Sequence, residues 1–299
     1  MGRPELGVAG PVSPTAWPDA ANPDRYAINI VQSGLSLPDR DYYLKDDARS
    51  IEVRAKFRTY VAAMLARGRY ANAEAAANAV LVLETAMARL QWTRERRGDR
   101  DLTYHPKSRA ELKAFAPDYP WEAMLGALSI PGQDFFVVKE DSAIRDLARL
   151  FHATPVGTWR AYMTFHYLNG MADILPAAFD DLSFDFNSRV LGGQLQKRER
   201  WKRATTALNS ALGEAVGQLY VERHFTPAAK VQITALVENL RTAYRTRIEQ
   251  LDPGSVGPDR DGAQTGACVK QRVKRAPCAA NLSRFGVIAT GSPNAPTSG

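Results

Sequence analysis

The side chains that most often do chemistry in enzymes are few in this sequence and widely spaced. Its four histidines are His105, His152, His166 and His224, and no two of them are closer than 14 residues. The HExxH motif of metallopeptidases places two imidazoles on one helix face, with a Glu between them as general base. The sequence contains no such motif, so the histidines predict no local metal site.

Two cysteines, Cys268 and Cys278, lie near the C-terminal end. A zinc site there would need two more ligands, and no histidine lies within 40 residues of Cys268. The sequence also lacks the GxSxG, P-loop and GxGxxG motifs. The residue pattern alone therefore assigns no catalytic, cofactor-binding or metal-binding residue.

Two charged runs have a functional and a structural interpretation. In the run Arg198–Arg203, Trp201 could stack on bases between the cations. Alternatively, Trp201 is buried and the cations are solvated, which we favour because Trp201 begins an apolar stripe. The run Arg94–Asp101 alternates in sign and predicts a salt-bridged surface turn, not a phosphate cradle.

Apolar residues recur at three- and four-residue steps along most of the chain, which predicts a mainly α, multi-helix fold. The stripes are Val53–Met64 (with Gly68 as a stop), Ala76–Leu90, Ile144–Phe151, Trp201–Leu219 and Ile233–Leu251. His166 shares an apolar face with Trp159 and Met163, which favours a hydrogen-bonded core imidazole over a metal ligand. His224 is expected near exposed carbonyls at a helix end.

Local signals place several helix starts and two strands. Ser108–Glu111 has the spacing of a capping box. Thr154-Pro155 and Thr226-Pro227 each predict a helix start, with Thr as the cap. Only Phe135–Val138 and, more weakly, Ser183–Phe186 are typical of strands.

The 299 residues, 45% of them hydrophobic, divide into three segments by composition. Residues 1–24 are rich in proline and predict a flexible N-terminal segment, and residues 25–252 form the helical domain. Residues 253–299 carry a large part of the net charge of +7 and are about one-quarter Gly and Pro, which predicts a low-order basic tail. We expect no transmembrane segment and no signal peptide, and the compartment stays open.

The segment Gly34–Leu44, GLSLPDRDYYL, resembles a signature of the neprilysin and endothelin-converting-enzyme family of zinc metalloendopeptidases. Pro38 makes it an ordered turn, Asp39, Arg40 and Asp41 can pair or cap, and Tyr42 and Tyr43 can anchor the following helix. Further matches follow in the expected order between about Pro23 and Asp252. They are Leu83–Ala86, Arg100-Asp101, Tyr104, Trp159, Tyr162, His166, Leu175-Pro176, Phe179, Arg200–Arg203, Gly213, Gly217, Leu219–Val221 and Phe225.

The resemblance implies the noncatalytic helical lobe that covers the catalytic cleft in this family and admits peptides to a zinc site. The zinc-binding half of the family has no counterpart in this sequence, and His105 stands where relatives usually have Asn. We therefore expect a truncated peptidase that binds no zinc and does not hydrolyse peptides on its own. We assign no catalytic, cofactor-binding or metal-binding residue to it. Full-length family members bind zinc and are usually secreted, periplasmic or membrane-anchored.

Two alternatives stay open. The chain could be a stand-alone helical interaction module that binds an acidic protein or nucleic acid through Arg198–Arg203 and the basic tail. The residue pattern disfavours nucleic acid, since no basic and aromatic surface repeats along the chain. The chain could also assemble with a separately encoded catalytic lobe. A lobe that faces such a partner is expected to expose apolar surface when alone.

Overall fold

The computed structural model describes residues 10–22 and 24–250, which divide into two units. The first unit ends at Lys197 and the second begins at Arg198. The described residues form eleven α-helices and four short β-strands, which confirms the predicted mainly α class. The predicted tail, residues 253–299 with both cysteines, lies outside the described residues.

A four-stranded sheet lies in the first unit. Its strands are β1 (Val12–Pro18), β2 (Tyr26–Gln32), β3 (His105–Lys107) and β4 (Phe136–Val138). In space the order is β1-β2-β4-β3, with β2 and β4 parallel and the other two pairs antiparallel. The sequence predicted only β4, which is a continuous apolar run, whereas the prolines of β1 and β3 are typical of loops.

The N-terminal strand corrects one prediction. Residues 1–24 were expected to be flexible, which is wrong for Val12–Pro18, since this segment pairs with β2 along its whole length. Its prolines are tolerated because β1 is an edge strand, where outward N–H groups need no partner. Asp19 is buried, pairs with Arg25 at 2.6 Å and accepts a hydrogen bond from the Tyr104 hydroxyl at 2.9 Å. The boundary near Asp24 therefore falls between paired strands.

The longest helices of the first unit pack against each other and carry two predicted stripes. Following the short α1 (Asp41–Leu44), they are α2 (Ala48–Arg67) and α3 (Ala73–Leu90). Gly68 ends α2 as predicted. The α2 stripe is buried in the core, and Val80 and Met87 are buried on the inner face of α3.

Short helices follow: α4 (Arg94–Gly98), a 3-10 turn (Asp101–Thr103), α5 (Arg109–Phe115) and α6 (Trp121–Ala127). Residues Arg94–Asp101 are exposed, and Arg94 and Arg97 form ion pairs, as predicted, but the segment contains a helix, which Thr93 caps by accepting from the Arg96 N–H. The expected capping box of Ser108 and Glu111 is confirmed.

The remaining elements of the first unit are α7 (Asp141–Ala153), α8 (Val156–Gly170), α9 (Ala177–Ser183) and a π-helix (Phe184–Leu191). The strand predicted over Ser183–Phe186 is wrong, since these residues are helical and Phe186 stacks on Tyr60 with 4.8 Å between ring centroids. Thr154 does not cap α8 as predicted. Its hydroxyl instead donates to the Leu150 carbonyl of α7 at 2.6 Å.

The second unit contains α10 (Arg200–His224) and α11 (Pro227–Gln250). Thr226 caps α11 as predicted, since its hydroxyl accepts from the Ala229 N–H at 3.2 Å. The backbone of α10 is non-helical at Leu212, with φ −131° and ψ 28°. The prediction that Trp201 is buried is wrong: the residue is 64% exposed, and α10, which is described throughout, contains no buried residue.

No helix in the described ranges, 10–22 and 24–250, is long and apolar enough to cross a membrane.

Candidate functional site

The first unit is organised around a buried carboxylate, Glu84 of α3, which is fully inaccessible to solvent. It accepts hydrogen bonds from the Tyr43 hydroxyl at 2.5 Å, the Ser36 hydroxyl at 2.7 Å and the Ser36 N–H at 3.0 Å. His166 Nε2 lies 3.0 Å from the second oxygen of the carboxylate. This contact suits the His166 tautomer that carries its proton on Nε2 and donates it to the carboxylate. We call these four residues the Glu84 network.

The Glu84 network joins the signature turn and the neighbouring α1 to two helices that are far away in sequence. Ser36 lies in the signature turn after β2, Tyr43 in α1, Glu84 in α3 and His166 in α8. The Tyr43 hydroxyl also accepts from the backbone N–H groups of Ser36 and Leu37, at 3.2 and 2.9 Å. Because a buried charge is tolerated only when its hydrogen-bonding capacity is filled, the network fixes the turn against both helices.

Gly34 determines how closely the signature turn approaches α8. Its φ is +91°, and a Cβ there would lie 2.7 Å from the Tyr162 hydroxyl and 2.8 Å from the Gly10 carbonyl oxygen. The Tyr162 hydroxyl donates to the Gly34 carbonyl at 2.7 Å. Only glycine suits this conformation and this spacing.

The two buried tyrosines remain hydrogen-bond donors at ordinary pH. Burial, and then the negative charge of Glu84, raise the pKa of Tyr43 well above its usual value. The same two causes raise the pKa of Tyr162. Both phenols therefore stay protonated and keep their bonds to Glu84 and to the Gly34 carbonyl.

Ser36, His166 and Glu84 include the residue types of a hydrolase triad, but their geometry is different. In a triad, one imidazole nitrogen faces the nucleophile and the other faces the carboxylate. Here the same Nε2 atom lies 3.3 Å from the Ser36 Oγ and 3.0 Å from Glu84, and the Ser36 hydroxyl donates directly to Glu84. His166 therefore cannot act as a base toward Ser36, and the arrangement is a structural anchor.

A second buried carboxylate, Glu140, joins the sheet to the α3–α4 connection. It is 2% exposed, accepts from the Gln32 N–H at 2.9 Å and pairs with Arg97 Nε at 2.9 Å. The Gln32 side-chain amide accepts from the Trp92 N–H at 2.8 Å and donates to the Trp92 carbonyl at 3.1 Å. The Trp92 indole N–H donates to the Ser142 hydroxyl at 2.7 Å at the start of α7.

The charged residues of the signature turn have the expected capping roles, with one difference. The Asp39 carboxylate accepts from the Asp41 N–H at 3.0 Å, and Asp41 pairs with Lys45 at 2.7 Å. Arg40 does not pair with a carboxylate: its Nε donates to the Ala88 carbonyl of α3 at 2.9 Å. The turn is thus attached to α3 at two points, Glu84 and Ala88.

The histidines lie in separate places. His166 is a buried, hydrogen-bonded core imidazole, as predicted, and His224 lies in the last turn of α10 against the Tyr220 ring. His105 Nδ1 lies 3.1 Å from the Val138 carbonyl oxygen, and His152 lies in the last turn of α7. Across residues 10–22 and 24–250, no three His, Cys, Asp or Glu side chains lie together so that they could hold a metal ion. The described residues therefore do not fit a zinc site.

The face Arg198–Arg203 lies at the start of the second unit. The Lys202 ammonium lies 5.3 Å from the centre of the exposed Trp201 ring and pairs with Glu199 at 3.3 Å. Trp201 is accessible to a ligand, contrary to the interpretation we favoured. The exposure adds support to the interaction hypothesis.

Sequence reasoning identified Glu84 only through the family resemblance and did not single out Glu140 or Gln32. A signal for Glu84 was present. It lies four residues after Val80 and three before Met87, on the inward face of an apolar helix, where an unpaired acid would be costly. Glu140 lies two residues after the end of the apolar β4 and has no periodic pattern to mark it.

Comparison with known proteins gives one consistent result. A model of the N-terminal region of peptidase family M13 matches residues 3–252. Endothelin-converting enzyme 1 of Rattus norvegicus is 25% identical over 239 residues, which are 78% of this chain and 31% of that protein. The human enzyme has the same identity and coverage. The chain spans about a third of the length of these relatives.

Solved structures show the same fold. The zinc metalloprotease Zmp1 of Mycobacterium tuberculosis, in complex with an inhibitor, is 29% identical, and the match has a TM-score of 0.73. It covers 91% of this chain and 40% of that one. PepO of Lactobacillus rhamnosis, 22% identical with a TM-score of 0.66, has a similar fold over 86% of this chain and 41% of its own. The family match covers most of the sequence, and the chain belongs to peptidase family M13.

Proposed function

We propose that this chain is the noncatalytic helical part of a zinc metallopeptidase, which restricts access to a zinc site carried by the remaining part of the enzyme. The match of 91% of this chain to 40% of a zinc metalloprotease carries the proposal. The absence of HExxH from the whole sequence agrees with it, as does the lack of a metal-binding cluster among the described residues. No step of peptide hydrolysis is assigned to residues of this chain.

The second unit supports a partner for this chain. Large apolar side chains along α10 and α11 are about half exposed or more: Trp201, Leu208, Leu212, Leu219, Tyr220, Val231, Ile233, Leu236, Leu240 and Tyr244. Exposed apolar surface of this extent is typical of an interface. We propose that a catalytic part covers it, either within a longer polypeptide or as a separate lobe. Peptides small enough to pass the helical part would then be the substrates.

A chimera tests the gating role. Residues 3–252 of this chain would replace the matching portion of Zmp1, and two substrates would be compared: a short fluorogenic peptide and the same peptide within a loop of a folded protein. The chimera should cleave the free peptide and spare the folded protein. A chimera carrying Glu84→Ala, which loosens the first unit, should lose part of this selectivity. Equal cleavage of both substrates by a folded, zinc-loaded parent chimera would contradict the proposal.

The interaction module is a second candidate, favoured by the exposed Trp201 beside Lys202. Binding to nucleic acid or an acidic protein through this face should weaken steeply with salt, because it releases counterions. A single-stranded oligonucleotide titrated at low salt, with Trp201 fluorescence compared between the chain and its Trp201→Ala variant, measures it. No quenching at low salt would eliminate nucleic acid as the partner.

A further inference from the structure

A small polar pocket lies beside the signature turn in the first unit. Its volume is about 160 Å³. It lies where the turn after β2 meets the connection between α3 and α4. The residues that line it are Gln32, Ser33, Leu35, Leu37, Pro38, Asp39, Arg40, Gln91, Trp92, Arg94 and Arg97. We call it the arginine pocket.

The lining of the arginine pocket is cationic. It contains three guanidinium groups, from Arg40, Arg94 and Arg97, against the Asp39 carboxylate of the lining and the Glu140 carboxylate that pairs with Arg97, which leaves an excess of one positive charge. Arginine stays protonated in proteins, so this excess of positive charge is permanent. Arg94 Nη2 is 3.6 Å from the Asp39 carboxylate, which is longer than an ordinary hydrogen bond, and the Arg94 side chain is 80% exposed.

Within residues 10–22 and 24–250, the bonds that hold two of the guanidinium groups in place use only Nε. Arg40 Nε donates to the Ala88 carbonyl and Arg97 Nε to the buried Glu140, each at 2.9 Å. Among the uncharged polar groups of the lining, the Gln91 side-chain amide already donates to the Ser33 carbonyl at 2.8 Å. The terminal nitrogens of Arg40 and Arg97 are therefore the groups with donors to offer a ligand.

The size of the pocket limits what it can hold. Pockets for drug-sized ligands occupy about 300–1,000 Å³, so this one is too small for a nucleotide or a peptide segment. A cavity needs about 10–15 Å³ to hold one water, so this pocket has room for more than one. Guanidinium groups match the oxygens of phosphate and carboxylate, with two parallel hydrogen bonds from one fork.

We propose that the arginine pocket binds a small oxyanion, a phosphate or a carboxylate group, between Arg40 and Arg97. The bound anion would connect the signature turn to α4, and through Arg97 to Glu140 and the sheet. A ligand that binds only the folded chain raises its stability, so phosphate should stabilise the first unit. The proposal does not depend on peptidase activity.

The test uses the full chain and inorganic phosphate as the probe, with calorimetric titration and thermal unfolding at constant ionic strength. Chloride is the reference anion, and acetate distinguishes a carboxylate site from a phosphate site. Saturable binding of phosphate or acetate, together with a higher unfolding temperature than in chloride, supports the proposal. No saturable binding of either anion, or equal stabilisation by chloride, would overturn it.

Variants separate binding from a general effect of charge. Arg97→Gln should weaken phosphate binding about tenfold, since it removes one charged fork. Arg94→Gln, at an exposed position that should not affect folding, should weaken it by a smaller factor. The matched control is Arg96→Gln in the same helix, because the Arg96 guanidinium lies over the Trp92 ring and does not line the pocket. An equal loss in Arg96→Gln and Arg94→Gln would overturn the proposal.

Asp39→Asn gives a test in the opposite direction. The variant keeps the side-chain oxygen that accepts from the Asp41 N–H, so it retains the turn. It also removes the only carboxylate of the pocket lining, and phosphate binding should therefore become several-fold tighter. Unchanged or weaker phosphate binding in this variant would contradict an anion site, even if Arg97→Gln fails to fold.

Discussion

The two units of this chain differ in where they place groups that are costly to position: the first buries charged side chains, and the second exposes apolar ones. The first unit buries three carboxylates, Asp19, Glu84 and Glu140, and supplies each with several donors. The second unit consists of two helices whose large apolar side chains stay exposed, with no buried residue in α10. The difference indicates that the first unit completes its own core, whereas the second has a surface suited to a partner.

Among the variants that test this difference, Glu84→Ala should lower the free energy of unfolding most. The substitution leaves buried donors on Tyr43, Ser36 and His166 without their acceptor, and breaking such a buried charged group costs about 3–5 kcal/mol. Urea unfolding should show that loss. The matched control on the same helix is Glu74→Ala, because Glu74 is 75% exposed and its pair with Arg58 is worth about 0–1 kcal/mol. Similar losses in both variants would refute the anchoring role.

Gly34→Ala should cost about 1–3 kcal/mol, since it forces a side chain into a left-handed conformation against Tyr162 and the Gly10 carbonyl. The control is Gly126→Ala in α6, where a Cβ meets no atom within 4 Å. That variant should gain about 0.5–1 kcal/mol through helix propensity. A neutral Gly34→Ala variant would show that the turn can relax away from α8.

Alkaline pH should weaken the first unit through its buried tyrosines. Burial raises the pKa of Tyr60 to about 12, against about 10 in the unfolded chain. The stability that protonated Tyr60 contributes is present in full below pH 10 and is lost as pH rises toward 12, because the unfolded chain releases the proton first. At pH 11 the loss is about 1.4 kcal/mol for this residue.

Unfolding free energies of the chain and of Tyr60→Phe, measured between pH 8 and 11, check this pH dependence. The variant should lose the hydrogen bond to Asn169 at every pH but should fall less steeply above pH 10. Tyr244→Phe, at an exposed position of α11, controls for the removal of a phenol. Identical slopes for the chain and Tyr60→Phe would contradict the buried position of this hydroxyl.

The smallest effect on stability is expected in the second unit. Leu212→Gln together with Leu219→Gln should change the unfolding free energy by no more than about 0.5 kcal/mol per site, since both side chains are more than half exposed. The same variant should bind less of a hydrophobic fluorescent dye and should associate less with itself. A loss of several kcal/mol would show that these residues belong to a core.

The sequence predicted burial correctly for α2 of the first unit but not for Trp201 of the second. Stripes such as Val53–Met64 predicted α2 correctly, because local helical periodicity and burial coincide there. The stripe of α10 also predicted a helix, but it could not show whether the apolar face is covered within this chain, and Trp201 is exposed. Burial depends on a partner surface that periodicity does not record.

Long-range contacts were beyond local patterns. The residues Ser36 and Glu84 are 48 positions apart, and Gln32 and Glu140 are 108 apart, so neither pair forms a recognisable motif. β1 was missed because its prolines are typical of loops, and only its place at the sheet edge makes them compatible with a strand. The family resemblance identified the signature turn, but its attachment to Glu84 and Ala88 required the structure.

The central claim, that this chain is the noncatalytic part of a zinc metallopeptidase, is tested most directly on the purified chain supplied with zinc. Bound zinc would be measured by mass spectrometry, and cleavage of a fluorogenic peptide would be followed with and without a chelator. We predict less than stoichiometric zinc and no cleavage that the chelator abolishes. One tightly bound zinc per chain with chelator-sensitive cleavage would contradict the claim.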